Sequence, residues 1–168
     1  MVDNYMMIGG ADGPTSVFIA GELGNTSWLN IFGLIIVALI LIPNIIYAIA
    51  VKGQKNKCKN MFMNILEQIG RYACMLLMIF NVGIAEFGFS NVALFLAYLF
   101  GNAVLLVAYW VVWMLYFKKP SFGKQIALAV IPTAIFLLCG VTMGHWLLVI
   151  FAVVFGAAHV YVTCKNRV

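Results

Sequence analysis

The segment Asn64-Ile-Leu-Glu67-Gln68-Ile-Gly-Arg71-Tyr72 places an acid and a base four residues apart in a stretch that otherwise has the composition of a membrane span. Glu at i and Arg at i+4 is the favourable order on an α-helix, because the two side chains lie one above the other. Ionisable residues within a membrane usually face a bundle interior or a cavity and pair with another group. The segment therefore predicts a helix of an all-α integral membrane protein, with its charged pair turned inward.

The composition of the whole chain favours the same class. Of 168 residues, 65% are hydrophobic and 9% are charged, whereas ordinary soluble domains have about 45–50% apolar and about 25% charged residues. In water such a chain would expose large apolar patches, so the lipid bilayer is its expected partner. Because no polar stretch exceeds a long loop, residues 1–168 are predicted to form a single membrane domain without a separate soluble catalytic domain.

A five-transmembrane-helix bundle is the predicted architecture. The predicted spans are residues 28–51, 61–81, 91–117, 125–143 and 146–164. The N-terminal segment, residues 1–27, is polar, and its apolar run is shorter than the about 20 residues that a span requires. We therefore expect a short re-entrant or interfacial half-helix in this segment.

The distribution of charge predicts the orientation. Nine of the ten basic residues lie in the loops after the first and third spans and in the C-terminal tail, and four of the five acids lie on the opposite side. The positive-inside rule then predicts an N-terminus outside and a C-terminus in the cytoplasm of a bacterial inner membrane. Because the basic residues occupy short loops, no nucleic-acid partner is expected. Trp113 and Tyr116, near the inner edge, are expected to be interfacial anchors.

Several polar residues share a similar depth in the predicted spans and form a candidate intramembrane polar cluster. Its members are Glu67, Arg71, Asn44, Asn102 and His159. Two interpretations are open. The cluster is either a buried ion pair with hydrogen-bonding side chains that hold the helices together, or a site for a substrate, an ion or a proton, with Glu67 and His159 as proton carriers. His145, at an outer turn, is expected to be an ordinary interfacial residue.

The N-terminal string Ile8-Gly-Gly-Ala-Asp-Gly-Pro-Thr-Ser-Val-Phe-Ile-Ala20 (GGADGPTS at its core) resembles a signature of the beta subunit of sodium-translocating decarboxylases, the oxaloacetate and glutaconyl-CoA type. In that family the string lies at a broken helix in the membrane, and its Asp is linked to sodium coupling. The resemblance implies a sodium ligand at Asp12, with a backbone shaped by Gly9, Gly10, Gly13 and Thr15. The alternative is that Asp12 caps a helix.

The functional expectation is ion-linked (sodium) or small-solute-linked transport, or an accessory role in a transport complex. The alternatives are a structural or interaction subunit, as a homo-oligomer or beside a membrane partner subunit, and a lipid-acting membrane enzyme. No catalytic residue is predicted, since neither a zinc-protease helix motif nor a nucleophile-turn triad is present in the sequence. Apart from a sodium ion at Asp12, no cofactor or metal is expected.

Overall fold

The computed structural model describes residues 29–51, 57–83 and 88–167. Within these residues the regular structure is helical, and β pairing is limited to one isolated bridge between Leu29 and Phe80. The helices are α1 (Ile31–Ala50), α2 (Met61–Ile79), α3 (Val92–Lys118), α4 (Phe122–Thr142) and α5 (Trp146–Lys165). The predicted N-terminal half-helix lies outside the described residues.

Among the described helices, α1, α3, α4 and α5 are each long and apolar enough to cross a membrane. These four helices indicate a multi-pass membrane protein, which confirms the predicted helical bundle at that level. Helix α2 does not reach the same hydropathy, because four polar residues fall within just over two of its turns, namely Asn64, Glu67, Gln68 and Arg71. That α2 also crosses the membrane stays a prediction.

Asparagine side chains begin three of the described helices. The side-chain oxygens of Asn30, Asn60 and Asn91 accept hydrogen bonds from the backbone N–H three residues later, at 3.0, 3.3 and 2.8 Å. Asn is among the preferred residues at this position, because its oxygen satisfies an N–H that the first helical turn leaves without a partner. Helix α4 begins at Phe122, three residues before the predicted start of the fourth span.

The helices form a ring in the order α1, α2, α5, α4, α3, and α1 closes the ring against α3. Close approach depends on glycines at the contacts. A Cβ at Gly33 of α1 would collide with the backbone carbonyl of Met78 in α2, and a Cβ at Gly70 of α2 would lie 2.9 Å from the Phe155 Cβ of α5. Small residues are the usual solution where transmembrane helices approach closely.

The two ends of the ring differ in charge. We call the basic end the one at which α1, α3 and α5 finish and α2 and α4 begin; its described basic residues are Lys57, Lys59, Lys118, Lys119, Lys124, Lys165 and Arg167. At the opposite end, Asn30 N–H donates to the Ile79 carbonyl at 2.7 Å. This end also contains the turn between α4 and α5, where Gly144 has φ +66°.

Candidate functional site

Helices α2 and α5 bring Glu67, Arg71 and His159 together. Glu67 and Arg71 are one helical turn apart on α2, and His159 lies on the antiparallel α5, which the absence of a side chain at Gly70 lets approach closely. Glu67 is six residues from the start of α2 and His159 is six from the end of α5, so both lie about 9 Å below the basic end at 1.5 Å per residue. Because α2 and α5 pack antiparallel, Glu67 and His159 lie at the same depth and contact each other.

One oxygen of the Glu67 carboxylate accepts two hydrogen bonds. Arg71 Nη2 donates to Oε1, and His159 Nδ1 lies 2.9 Å from the same atom. Because the carboxylate oxygen accepts, the proton of the second bond belongs to His159 Nδ1. The His159 ring stacks on Phe155 with ring centroids 4.9 Å apart.

The second oxygen of Glu67 is the unusual feature of this group. The residue is 5% exposed, and its Oε2 has no hydrogen-bond partner among the residues that the structure describes. Oε2 is not one of the fully buried side-chain atoms that lack a partner, so it remains accessible. Glu67 therefore keeps an accessible acceptor that no described residue uses.

Asn44, on α1, reaches the same depth from the other side of the ring. Its amide nitrogen donates to the Ile40 carbonyl and to the Tyr109 hydroxyl of α3, both at 2.8 Å. The Ile40 carbonyl can only accept, so the orientation of the amide is fixed by its partners. Both N–H groups of Asn44 are used, and its side-chain oxygen has no partner among the described residues.

A pocket of about 340 Å³ joins these groups at the basic end. All five helices contribute to it. Its polar lining includes Asn44, Lys57, Glu67, Gln125, His159, Thr163 and Asn166. Its aromatic lining is Tyr47, Trp113 and Tyr116, and the ring of Tyr47 lies 5.2 Å from Trp113 and 5.8 Å from Tyr116, between centroids. The site is therefore a pocket that combines one carboxylate, Glu67, with a group of three aromatic rings.

Trp113 and Tyr116 differ from their expected role. They were expected to anchor the membrane interface, but they are only 6% and 4% exposed and line the pocket. Near a helix end, an aromatic residue fits either role, and the rotation of the helix decides between them. In α3 that rotation turns both rings toward α1, where Tyr47 contacts them.

Asn102 lies outside the pocket. Its amide donates to the Tyr98 carbonyl at 2.7 Å, and its oxygen accepts from the Cys139 thiol of α4 at 3.5 Å. It is seven residues before Tyr109 on α3, or about 10 Å nearer the opposite end. Of the predicted cluster, the structure brings Glu67, Arg71 and His159 into contact, places Asn44 across the same pocket, and uses Asn102 to join α3 to α4.

His145 is a residue whose importance sequence reasoning missed. It is 2% exposed and is the N-cap residue of α5. Its Nδ1 accepts a hydrogen bond from Leu148 N–H at 3.1 Å, and its Nε2 lies 3.1 Å from the Val82 carbonyl oxygen. The two bonds fix the tautomer with hydrogen on Nε2. The sequence signal was its place directly before an apolar run, which is the position of an N-cap.

The predicted ion-binding residues Asp12, Gly9, Gly10, Gly13 and Thr15 lie outside the described residues. Within the described part of the chain, no group of three or more His, Cys, Asp or Glu side chains could hold a metal ion. No protein-family model matches this sequence, and comparisons with curated proteins and with solved structures found no match either.

Proposed function

We propose that this chain is a five-span membrane protein, N-terminus outside and C-terminus in the cytoplasm, that binds a small polar solute or ion in the pocket at its basic end. Through this site it takes part in ion-linked or solute-linked transport, alone or as a membrane subunit of a transport complex. The observation that carries the proposal is Glu67, a buried carboxylate that lines the pocket and has one oxygen without a protein partner.

A purely structural ion pair accounts less well for this arrangement. An ion pair that only holds helices together does not require an adjoining pocket. Glu67 and Asn44 each keep an accessible oxygen beside the same pocket. This pattern is typical of a site whose ligand supplies the missing partners.

Flux across liposomes tests the proposal. The purified chain is reconstituted with internal pH and sodium indicators, a membrane potential is imposed, and the rates of proton and sodium entry are compared with those of protein-free liposomes. We expect a flux in wild type that falls at least about tenfold in Glu67→Gln, equal to about 1.4 kcal/mol, and that persists in Gln68→Ala, a neighbour on the exposed side of α2. Protein that folds but supports neither flux would overturn proton or sodium transport by the chain alone and favour a subunit role.

The N-terminal string supports sodium as the coupling ion. Its resemblance to the decarboxylase signature implies that Asp12 is a ligand, and a carboxylate, a hydroxyl and freed backbone carbonyls are hard oxygen ligands of the kind that such ions take. Thermal stability in sodium against potassium, at fixed ionic strength, tests this point, because a specific ligand raises stability by mass action. We expect a sodium-selective rise that Asp12→Asn abolishes; equal effects of the two ions would leave Asp12 as a helix cap.

A further inference from the structure

Two residues that line the pocket keep hydrogen-bond acceptors that no described residue uses. Glu67 has Oε2 without a partner, and Asn44 uses both amide hydrogens and keeps its oxygen. A ligand that satisfies these two oxygens must donate hydrogen bonds, and a group with two or more N–H donors matches them.

The aromatic residues of the pocket favour a positive charge on the same ligand. Tyr47, Trp113 and Tyr116 line the pocket with their ring centroids within 5.8 Å of one another. Aromatic faces attract organic cations.

We propose that the pocket binds a small organic ammonium ion, whose N–H groups donate to Glu67 and Asn44 and whose carbon atoms contact the aromatic residues Tyr47, Trp113 and Tyr116. The inference rests on the proposed function and names the solute class of that same pocket. The pocket volume of about 340 Å³ is that of about ten water molecules at about 30 Å³ each, which is far more than a bare metal ion fills.

The charges around the pocket are compatible with this ligand. Arg71 occupies Oε1 of Glu67, and the ammonium ion would take Oε2, so that one carboxylate serves two cations. Most basic residues of the basic end are exposed. At physiological salt, the interactions of such exposed charges are largely screened beyond about 8–10 Å. Lys57, at the mouth, would favour ammonium compounds that also carry a carboxylate.

Thermal stability of the purified full chain, at constant pH and ionic strength, tests the proposal with named probes. We expect ethylammonium to raise the melting temperature saturably. Tetramethylammonium has the same charge but no N–H, and we expect it to bind at least about tenfold more weakly, which is the worth of about one charge-assisted hydrogen bond. Glycine carries the same ammonium group plus a carboxylate, and its binding relative to ethylammonium reports whether Lys57 contributes.

Two variants assign the effect to the pocket. Glu67→Gln is expected to weaken ethylammonium binding at least about tenfold, the loss of about one hydrogen bond to a charged group. If that variant does not fold, Asn44→Ala, on a different helix, provides the same test. Gln68→Ala, exposed on the outer side of α2, is the control and is expected to bind like wild type.

The outcomes separate this inference from the proposed function. Equal binding of tetramethylammonium and ethylammonium, stabilisation by sodium alone, or no effect of ethylammonium would overturn the ammonium site. Glu67-dependent stabilisation by acetate or glycerol instead would also overturn it, while leaving a solute pocket in place. Ethylammonium binding without proton or sodium flux in liposomes would support the ammonium site and contradict proton or sodium transport by the chain alone.

Discussion

The two ends of the bundle use their polar side chains differently. At the opposite end, Asn30 caps α1, Thr142 donates to the Leu138 carbonyl at 2.7 Å, and both ring nitrogens of His145 hold backbone groups. At the basic end, Glu67 and Asn44 keep oxygens that no described residue uses. The three residues named at the opposite end use their polar side chains within the fold, whereas Glu67 and Asn44 each leave an oxygen beside the pocket.

Buried polar atoms without a hydrogen-bond partner occur in both halves of the bundle. The Tyr98 hydroxyl, in the half nearer the opposite end, and the Trp113 indole N–H, in the half nearer the basic end, both lie buried with no hydrogen-bond partner among the described residues. What separates the halves is the pocket, which only the groups at the basic end line.

The stability of the protein is expected to be most sensitive to added side-chain volume at the opposite end. Gly33→Ala places a Cβ against the backbone carbonyl of Met78, and because backbone cannot move aside as a side chain can, we expect a loss of about 3 kcal/mol in the free energy of unfolding. Chemical unfolding in detergent measures it. Gly123→Ala, at the basic end with open space around it, is the control and is expected to change stability by less than about 0.5 kcal/mol. Similar losses in both would contradict the difference in packing.

At the basic end, breaking the pair of Glu67 and Arg71 is expected to lower the free energy of unfolding by somewhat less. Arg71→Ala removes the cationic partner of a buried carboxylate, a change that costs about 3–5 kcal/mol in a fully buried pair. The Arg71 side chain is 36% exposed and His159 remains bonded to Glu67, so we expect about half of that loss. The Glu67→Ala, Arg71→Ala double variant is expected to be more stable than Arg71→Ala in the same unfolding measurement. Equal stability would mean that the two residues are not coupled.

His145, at the opposite end, is expected to make the stability of the protein depend on pH. Burial lowers the pKa of His145 below its ordinary value of 6.5, and the protonated ring could not accept from Leu148 N–H. The unfolded chain therefore takes up the proton first, so this contribution to stability is present above pH about 6.5 and declines as the pH falls below it. Melting temperatures from pH 8 to pH 5 measure the decline.

His145→Asn is the matched variant for this prediction. Asn accepts the capping hydrogen bond without titrating, so its melting temperature is expected to fall less than that of wild type over the same pH range. Any remaining slope then belongs to other groups. Identical slopes in the two proteins would contradict a role for His145 in the pH dependence.

The last prediction concerns the orientation of the protein in the membrane and involves no change in its stability. Cys164, near the basic end, is the one described cysteine that is exposed, while Cys58, Cys74 and Cys139 are buried. If the basic end faces the cytoplasm, an impermeant thiol reagent labels Cys164 in inside-out vesicles and not in intact cells. Labelling in intact cells would reverse the orientation predicted from charge.

The sequence predicted helices and depth better than it predicted which side of each helix faces inward. The i, i+4 spacing of Glu67 and Arg71 and the similar depth of His159 follow from helix geometry and from the alternation of basic and acidic loops. Asn102 is an exception, because it faces inward as predicted but lies nearer the opposite end than the rest of the cluster. Trp113 depended on rotation about the axis of α3. Nearly every residue of α3 is apolar, so its sequence carries little rotational information.

The role of Gly70 also lay beyond the sequence. A glycine in a helix costs about 1 kcal/mol relative to alanine, and the sequence does not reveal which neighbour benefits. The structure shows that α5 does, because Phe155 packs against Gly70 and thereby sets His159 beside Glu67. The contact depends on two helices that are far apart in the chain, and local patterns do not encode it.

The most direct test of the account is whether water reaches the pocket in the membrane. Leu128 lines the pocket and Val130, two residues further along α4, is exposed on the outside of the bundle at nearly the same depth. Single cysteines are placed at either position in a Cys164→Ser background, and the rate of modification by a charged, water-soluble methanethiosulfonate is measured in inside-out vesicles. The account predicts fast modification of Leu128→Cys, slowed by ethylammonium, and little modification of Val130→Cys, which faces lipid. Equally slow modification of both would contradict an open solute pocket at the basic end.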